Sequence, residues 1–119
     1  LRLVDNGVIS PKPSLAHLPA PPHAYHLIPR GSSKAAAVAR HMQARGYAPE
    51  ETVAVGDSRE DLGVAQHVGR FFLVANAVER DPSIREAIGG AANVEITEAG
   101  HGEGFYEAVV RSLAEARQR

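Results

Sequence analysis

Two aspartates four residues apart, Asp57 and Asp61, follow the apolar run Thr52-Val53-Ala54-Val55 across a single glycine, Gly56. A strand that ends on glycine and turns into a helix puts the first carboxylate at the strand's carboxyl edge. The second then lies one helical turn further on, so both can face one cation. Mg²⁺ takes oxygen ligands, retains several waters and is commonly held by one or two carboxylates together with a substrate phosphate. The same residues admit a plainer reading, in which Asp57 caps the following helix and Asp61 is a solvated charge on it, because Asp is favoured at N-caps and in first turns. Lys34 stands one strand–helix unit earlier, after Gly31-Ser32-Ser33, at the expected start of a helix. An ammonium group at a helix N-terminus favours an anion such as phosphate. The P-loop spacing Gly-x-x-x-x-Gly-Lys-Ser/Thr is absent, and taken alone Lys34 is an ordinary exposed lysine.

The elements that must hold these residues are legible as alternating patterns. Leu1–Ser10 alternates apolar residues around Asp5-Asn6-Gly7, and Asn-Gly between apolar flanks predicts a hairpin. Pro11, Pro13, Pro19, Pro21 and Pro22 then fill a connector that can be neither regular helix nor central strand. Ala24–Ile28 is a short strand, and Ser32 or Ser33 caps a helix to about Arg45, with Val38 and Met42 on one face and Gly46 past its end. After the strand Thr52–Val55, a helix carries Leu62, Ala65 and Val68 inward and stops at Gly69. Phe71-Phe72-Leu73-Val74-Ala75 reads as a strand buried on both faces. A short helix over Pro82–Ile88 and a strand over Asn93–Thr97 follow, then a flexible loop, Gly100-His101-Gly102-Glu103-Gly104. Phe105, Val109, Leu113 and Ala116 form one apolar face of a last helix. Strand and helix alternate from residue 24 onward, which predicts an α/β fold with a parallel sheet flanked by helices.

Composition narrows the classes of partner. The 119 residues include 13 basic and 14 acidic side chains, a formal charge of -1, so no electrostatic footprint for nucleic acid or an anionic membrane is present. With no cysteine, disulfides, thiolate metal sites and cysteine nucleophiles are excluded, and the default compartment is the cytoplasm. No apolar run reaches the roughly 18 residues of a membrane span, and no signal-peptide pattern opens the chain. The six histidines lack the His-x-x-x-His or His-Glu-x-x-His spacing of a zinc site. The chain begins at Leu1, within an apparently extended stretch, as a piece of a longer protein would.

Three segments together, Gly31-Ser32-Ser33-Lys34-Ala35-Ala36-Ala37-Val38, Val53-Ala54-Val55-Gly56-Asp57-Ser58-Arg59-Glu60-Asp61-Leu62 and Val74-Ala75-Asn76-Ala77, resemble the haloacid dehalogenase superfamily. Within it the chain is most similar to the C-terminal half of the Cof-type phosphatases, relatives of the sucrose-phosphate and mannosyl-3-phosphoglycerate phosphatases, over about Tyr25–Leu113. The resemblance implies a Rossmann-like core. Residues 1–23 would then be the tail of a cap domain with its proline-rich connector, and residues 24–119 the C-terminal part of the core. It implies that Lys34 neutralises a nucleophilic aspartate and the bound phosphoryl group. Asp57 would bind Mg²⁺, with Asp61 as a second carboxylate in direct or water-mediated contact. Asn76 matches the Asn-Ala pair near the family's active-site edge and is a candidate substrate contact, or equally a turn former. Relatives commonly carry Asn where Glu60 stands, and Glu60 is expected to face solvent. Ser58 is a helix cap or a phosphate contact, Arg30 a solvated arginine or an anion contact, and His101 lies in a loop that could close over substrate.

The family's reaction starts from an Asp-x-Asp nucleophile motif, and none occurs here; Val4-Asp5-Asn6-Gly7 has glycine where the second carboxylate belongs. The family's Ser/Thr phosphate-binding motif has no match either. The expected function is therefore a Mg²⁺-dependent phosphatase acting on a small phosphorylated metabolite, such as a sugar phosphate, through an aspartyl phosphate. Its nucleophile would lie upstream of Leu1, leaving this segment inactive by itself. A non-catalytic metal- or ligand-binding member, or a phosphotransferase or phosphomutase, is the alternative. Substrate identity and oligomeric state are not readable from these residues.

Overall fold

In the computed structural model, which describes residues 1–118, the contacts divide the chain into two compact units, residues 1–32 and the residues from Ser33 onward. In the first, β1 (Arg2–Val8) pairs antiparallel with β2 (His23–Ile28), Arg2 opposite Ile28 and Asp5 opposite Tyr25. The Asn6-Gly7 dipeptide does not turn a hairpin. β1 runs through it, with one extra residue between Asp5 and Val8 forming a bulge. Gly7 has φ +90°, and its N–H donates to Asp5 Oδ1 at 2.8 Å, while His23 Nδ1 donates to the same carboxylate at 2.9 Å. The positive φ that Asn-Gly supplies serves a bulge as well as a turn, and pairing with a strand 18 residues away in sequence selects the bulge. Residues 9–22, with a 3-10 turn at Pro13–Leu15, connect the two strands and surround a hollow of about 640 Å³ walled mainly by proline and aliphatic side chains. Since β2 pairs with β1, the parallel sheet begins at β3 and not at residue 24.

The second unit opens with α1 (Lys34–Arg45). Ser33 Oγ accepts the Ala36 N–H at 3.0 Å, and Gly46 at φ +72° closes the far end by donating to Gln43 and Met42. A three-stranded parallel sheet follows in the order β3 (Val53–Gly56), β4 (Arg70–Leu73), β5 (Val94–Ile96), with Gly56 in register with Leu73 and Leu73 with Ile96. The central strand is sealed on both faces, as its unbroken apolar run predicts: Phe71, Phe72 and Leu73 are fully buried. Phe71 and Leu73 join Met42, Val64, Ala65, Val68 and Ile84 in one core cluster. The alternation of a strand sends Phe72 to the opposite face.

That opposite face lies under α4 (His101–Arg117). Arg70, two residues from Phe72, stacks its guanidinium 5.1 Å from the Phe72 ring and bonds Glu95 at 2.5 Å and Glu115 of α4 at 2.7 Å. Arg111 of α4 pairs with Glu95 and, at 3.3 Å, with Glu107. The buried side of α4 is Gly104 and Ala108, while the apolar face formed by Phe105, Val109 and Leu113 is exposed. A Cβ at position 104 would stand 2.6 Å from Ala99 O and 2.9 Å from Val74 Cγ1, so glycine alone fits there without displacing the helix.

Four further elements differ from expectation. The segment after β3 is a 3-10 helix, Glu60–Gln66, not an α-helix, though Ala65 and Val68 are buried as predicted. α2 (Ala75–Arg80) begins where the strand was expected to continue, and α3 is confined to Ile84–Ile88. The glycine-rich stretch after β5 is the first turn of α4, not a loop. Glu107 reaches back past the start of the helix to accept the N–H groups of Glu98 and Ala99 at 3.0 to 3.1 Å, and Gly104 N donates to Gly100 O at 3.0 Å.

Candidate active site

Strand β3 stops at Gly56, and the chain turns through Asp57 and Ser58 into the 3-10 helix that carries Asp61. The Asp61 side chain folds back over this turn. Its Oδ2 accepts the Asp57 N–H at 3.0 Å, the Ser58 N–H at 3.2 Å and the Ser58 hydroxyl at 3.1 Å, and its Oδ1 accepts Lys34 Nζ at 2.8 Å. A Cβ at position 56 would lie 2.5 Å from Asp61 Cβ, so the fold-back requires glycine there. Asp61 is 12 % exposed in its side chain and Lys34 57 %, so the pair joins a buried anion to a cation that opens outward.

The charges respond to these contacts. The hydrogen bond to Asp61 raises the Lys34 ammonium above the ordinary lysine range, although partial burial opposes it. Burial pushes the Asp61 carboxyl upward, but the Lys34 ammonium and the Asp57 and Ser58 donors outweigh it and hold the group below the ordinary carboxylate range. Both groups are charged at neutral pH.

Asp57 is placed differently. Its N–H is tied to Asp61, and its carbonyl accepts from Arg80 at 2.8 Å, but its carboxylate takes no hydrogen bond or ion pair among the described residues. The backbone is pinned while the charged oxygens stay exposed. Lys34, Gly56, Asp57, Asp61 and Val74 line an open cleft of about 350 Å³, with Phe105 of α4 at its wall. The cleft lies at the carboxyl ends of β3 and β4, where open parallel sheets bind ligands.

The structure therefore brings Lys34, Asp57 and Asp61 together, with Asp61 turned to the lysine and the turn, and Asp57 left open. Ser58 directs both its N–H and its hydroxyl to Asp61. Asn76 sits in the first turn of α2, away from the cleft wall, where its Oδ1 accepts the His101 N–H at 2.7 Å. That bond holds His101 at φ +52° at the start of α4. Arg30 belongs to the first unit and is exposed. Gly56 is legible in the sequence as the glycine that ends the strand, but its contact with the Asp61 side chain is not, and Phe105 carries no signal of a place at the cleft. The spacing of Phe105 marks it only as part of one apolar helical face.

One free carboxylate beside a buried one, at a strand edge open to solvent, is a hard oxygen set of the kind Mg²⁺ accepts when substrate and water complete its shell. No group of three or more His, Cys, Asp or Glu side chains gathers among the described residues, so this chain offers only part of a coordination sphere.

Comparison with known proteins bears on the same region. Residues 13–92 match the family described as haloacid dehalogenase-like hydrolases. The chain belongs to this family. Phosphoglycolate phosphatases from archaea are similar to it. That of Methanothermobacter thermautotrophicus is 35% identical over 90 residues, covering 76% of this chain and 37% of the relative. The Natronomonas pharaonis protein is 34% identical over 90 residues, covering 76% and 36%, and that of Halorubrum lacusprofundi is 40% identical over 65 residues, covering 55% and 27%. The chain thus spans about a third of the length of these hydrolase relatives. No solved structure matches it. A mixed α/β unit with a parallel sheet covered by helices agrees with the family, and no helix is long and apolar enough to cross a membrane among the described residues.

Proposed function

We propose that this chain supplies the metal-binding and phosphate-binding half of a Mg²⁺-dependent phosphomonoesterase that acts on a small phosphorylated metabolite. The observation that carries the reading is the convergence of the Lys34 ammonium, the Asp61 carboxylate and the unpartnered Asp57 carboxylate at one cleft. Phosphoglycolate, named by the relatives, is the first substrate to test, and a sugar phosphate the second.

The nucleophile is assigned to an aspartate outside the residues of this chain. It attacks phosphorus in line, the substrate's alcohol leaves as its oxygen gains a proton, and water then cleaves the aspartyl phosphate to release inorganic phosphate. Lys34 keeps its ammonium beside the transferring oxygens, where a fixed positive charge stabilises the negative charge that gathers there. Asp57 and Asp61 form the acidic pair toward the cation, with Asp57 as the direct ligand. Mg²⁺, when bound, supplies charge neutralisation at the phosphoryl oxygens. Asn76 lies outside the cleft lining and holds the His101 N–H with its Oδ1; its amide nitrogen, without a partner among the described residues, is assigned to the part of the substrate that extends beyond the cleft.

The test is phosphate release by the full-length protein from a panel containing phosphoglycolate and sugar phosphates, with Mg²⁺ and with chelator. The expected result is Mg²⁺-dependent turnover that falls by orders of magnitude in Asp57→Ala and Lys34→Ala. Turnover at the wild-type rate in either variant rejects the corresponding role. Phosphate transfer to an added sugar acceptor in preference to water identifies a phosphotransferase.

A further inference from the structure

The two acidic residues of the cleft have different surroundings. Asp61 Oδ2 already takes three donors, more than its two lone pairs can each meet separately, and Oδ1 takes an ammonium. A divalent ion on Oδ1 would have to sit beside the Lys34 charge, 2.8 Å from that oxygen. Asp57, by contrast, has a bare carboxylate on a backbone pinned at both its N–H and its C=O.

We infer that Asp61 is not a metal ligand but a positioning residue: it ties the Lys34 ammonium to the turn that aims Asp57, and Ser58 serves as its support. The inference rests on the proposed phosphatase reading and refines it by giving the two carboxylates separate tasks. Three features of the chain agree with it. Gly56 leaves room for the Asp61 side chain to fold over the turn, and no bulkier residue would. Ser58 commits its hydroxyl to Asp61. Lys34 makes one bond to Asp61, which leaves two of its three N–H donors for a phosphoryl oxygen.

Binding of Mn²⁺ alone to the full-length protein, followed by its electron paramagnetic resonance signal without substrate, separates the tasks. Asp57→Asn is expected to weaken Mn²⁺ binding at least tenfold. Asp61→Asn and Ser58→Ala are expected to change it by less than about threefold. In steady-state assays Asp61→Asn lowers kcat roughly 10²-fold, the scale of a misplaced catalytic group, with KM changed far less, and Ser58→Ala lowers kcat a few-fold. The Lys34→Ala/Asp61→Asn double variant falls no further in kcat than Lys34→Ala alone, because Asp61 acts through that lysine. Mn²⁺ binding weakened as much by Asp61→Asn as by Asp57→Asn overturns the inference and makes Asp61 a ligand. Additive losses in the double variant overturn it as well. Unchanged Mn²⁺ binding in Asp57→Asn rejects the metal reading beneath it, and the inference with it. If Asp61→Asn does not fold, Ser58→Ala decides: a tenfold loss of Mn²⁺ affinity overturns the positioning role, and a kcat loss with affinity kept supports it.

Discussion

Asp61 and Lys34 depend on each other across 27 residues of sequence, and the dependence has a pH signature. The Asp61 pKa is lowered on folding, so its contribution to stability is present above the ordinary carboxylate range and is lost as pH falls through the folded value. The Lys34 pKa is raised, so its contribution is complete below the ordinary lysine range and is lost as pH rises through the folded value. Replacing Asp61 by Asn removes the anion but keeps the shape. The difference in unfolding free energy between wild type and Asp61→Asn should be flat between about pH 5 and pH 9 and shrink toward both extremes. Urea titrations across that range check it. Asp61→Ala strands two N–H donors, a hydroxyl and an ammonium, and should cost about 2–4 kcal/mol at neutral pH by the same measurement.

Glycines decide how closely the elements approach. Gly56→Ala drives a methyl group into Asp61 at the end of β3. It is expected to destabilise the protein by about 1–3 kcal/mol and, on the proposed phosphatase reading, to lower kcat of the full-length protein as strongly as Asp61→Asn, since both displace the same clamp. Gly104→Ala pushes α4 off Ala99 O and Val74 Cγ1, and a thermal melt should record a loss of about 1–3 kcal/mol. Helix propensity alone predicts the opposite sign, because alanine is the better helix former. The measured sign therefore reports how tightly α4 seats on the sheet. In α4 the Phe105, Val109 and Leu113 row is exposed, while Gly104 and Ala108 face the sheet with Arg111 and Glu115 beside them. Polar pairs to Arg70 and Glu95 orient the helix, and periodicity of apolar residues does not anticipate them.

The second unit as a whole rests on one thin core around β4. Phe71, Phe72, Leu73 and Ile84 are its largest fully buried side chains, and Phe72 alone among them faces α4. Phe72→Ala removes that contact together with the ring beneath the Arg70 guanidinium, and is expected to cost about 3–5 kcal/mol in equilibrium unfolding.

Much of this protein was legible without coordinates where the deciding interactions are local. The cap at Ser33, the stop at Gly46, the doubly buried β4 and the strand end that presents Asp57 all follow from short-range chemistry and from patterns a few residues long. The tertiary structure decided what depends on a distant partner. Pairing with β2 made Asn6-Gly7 a bulge, and Glu107 drew the Gly100–Gly104 stretch into α4. Lys34 approached Asp61 and left Asp57 open, because an ion pair between separate elements is set by how those elements pack, which no local spacing records.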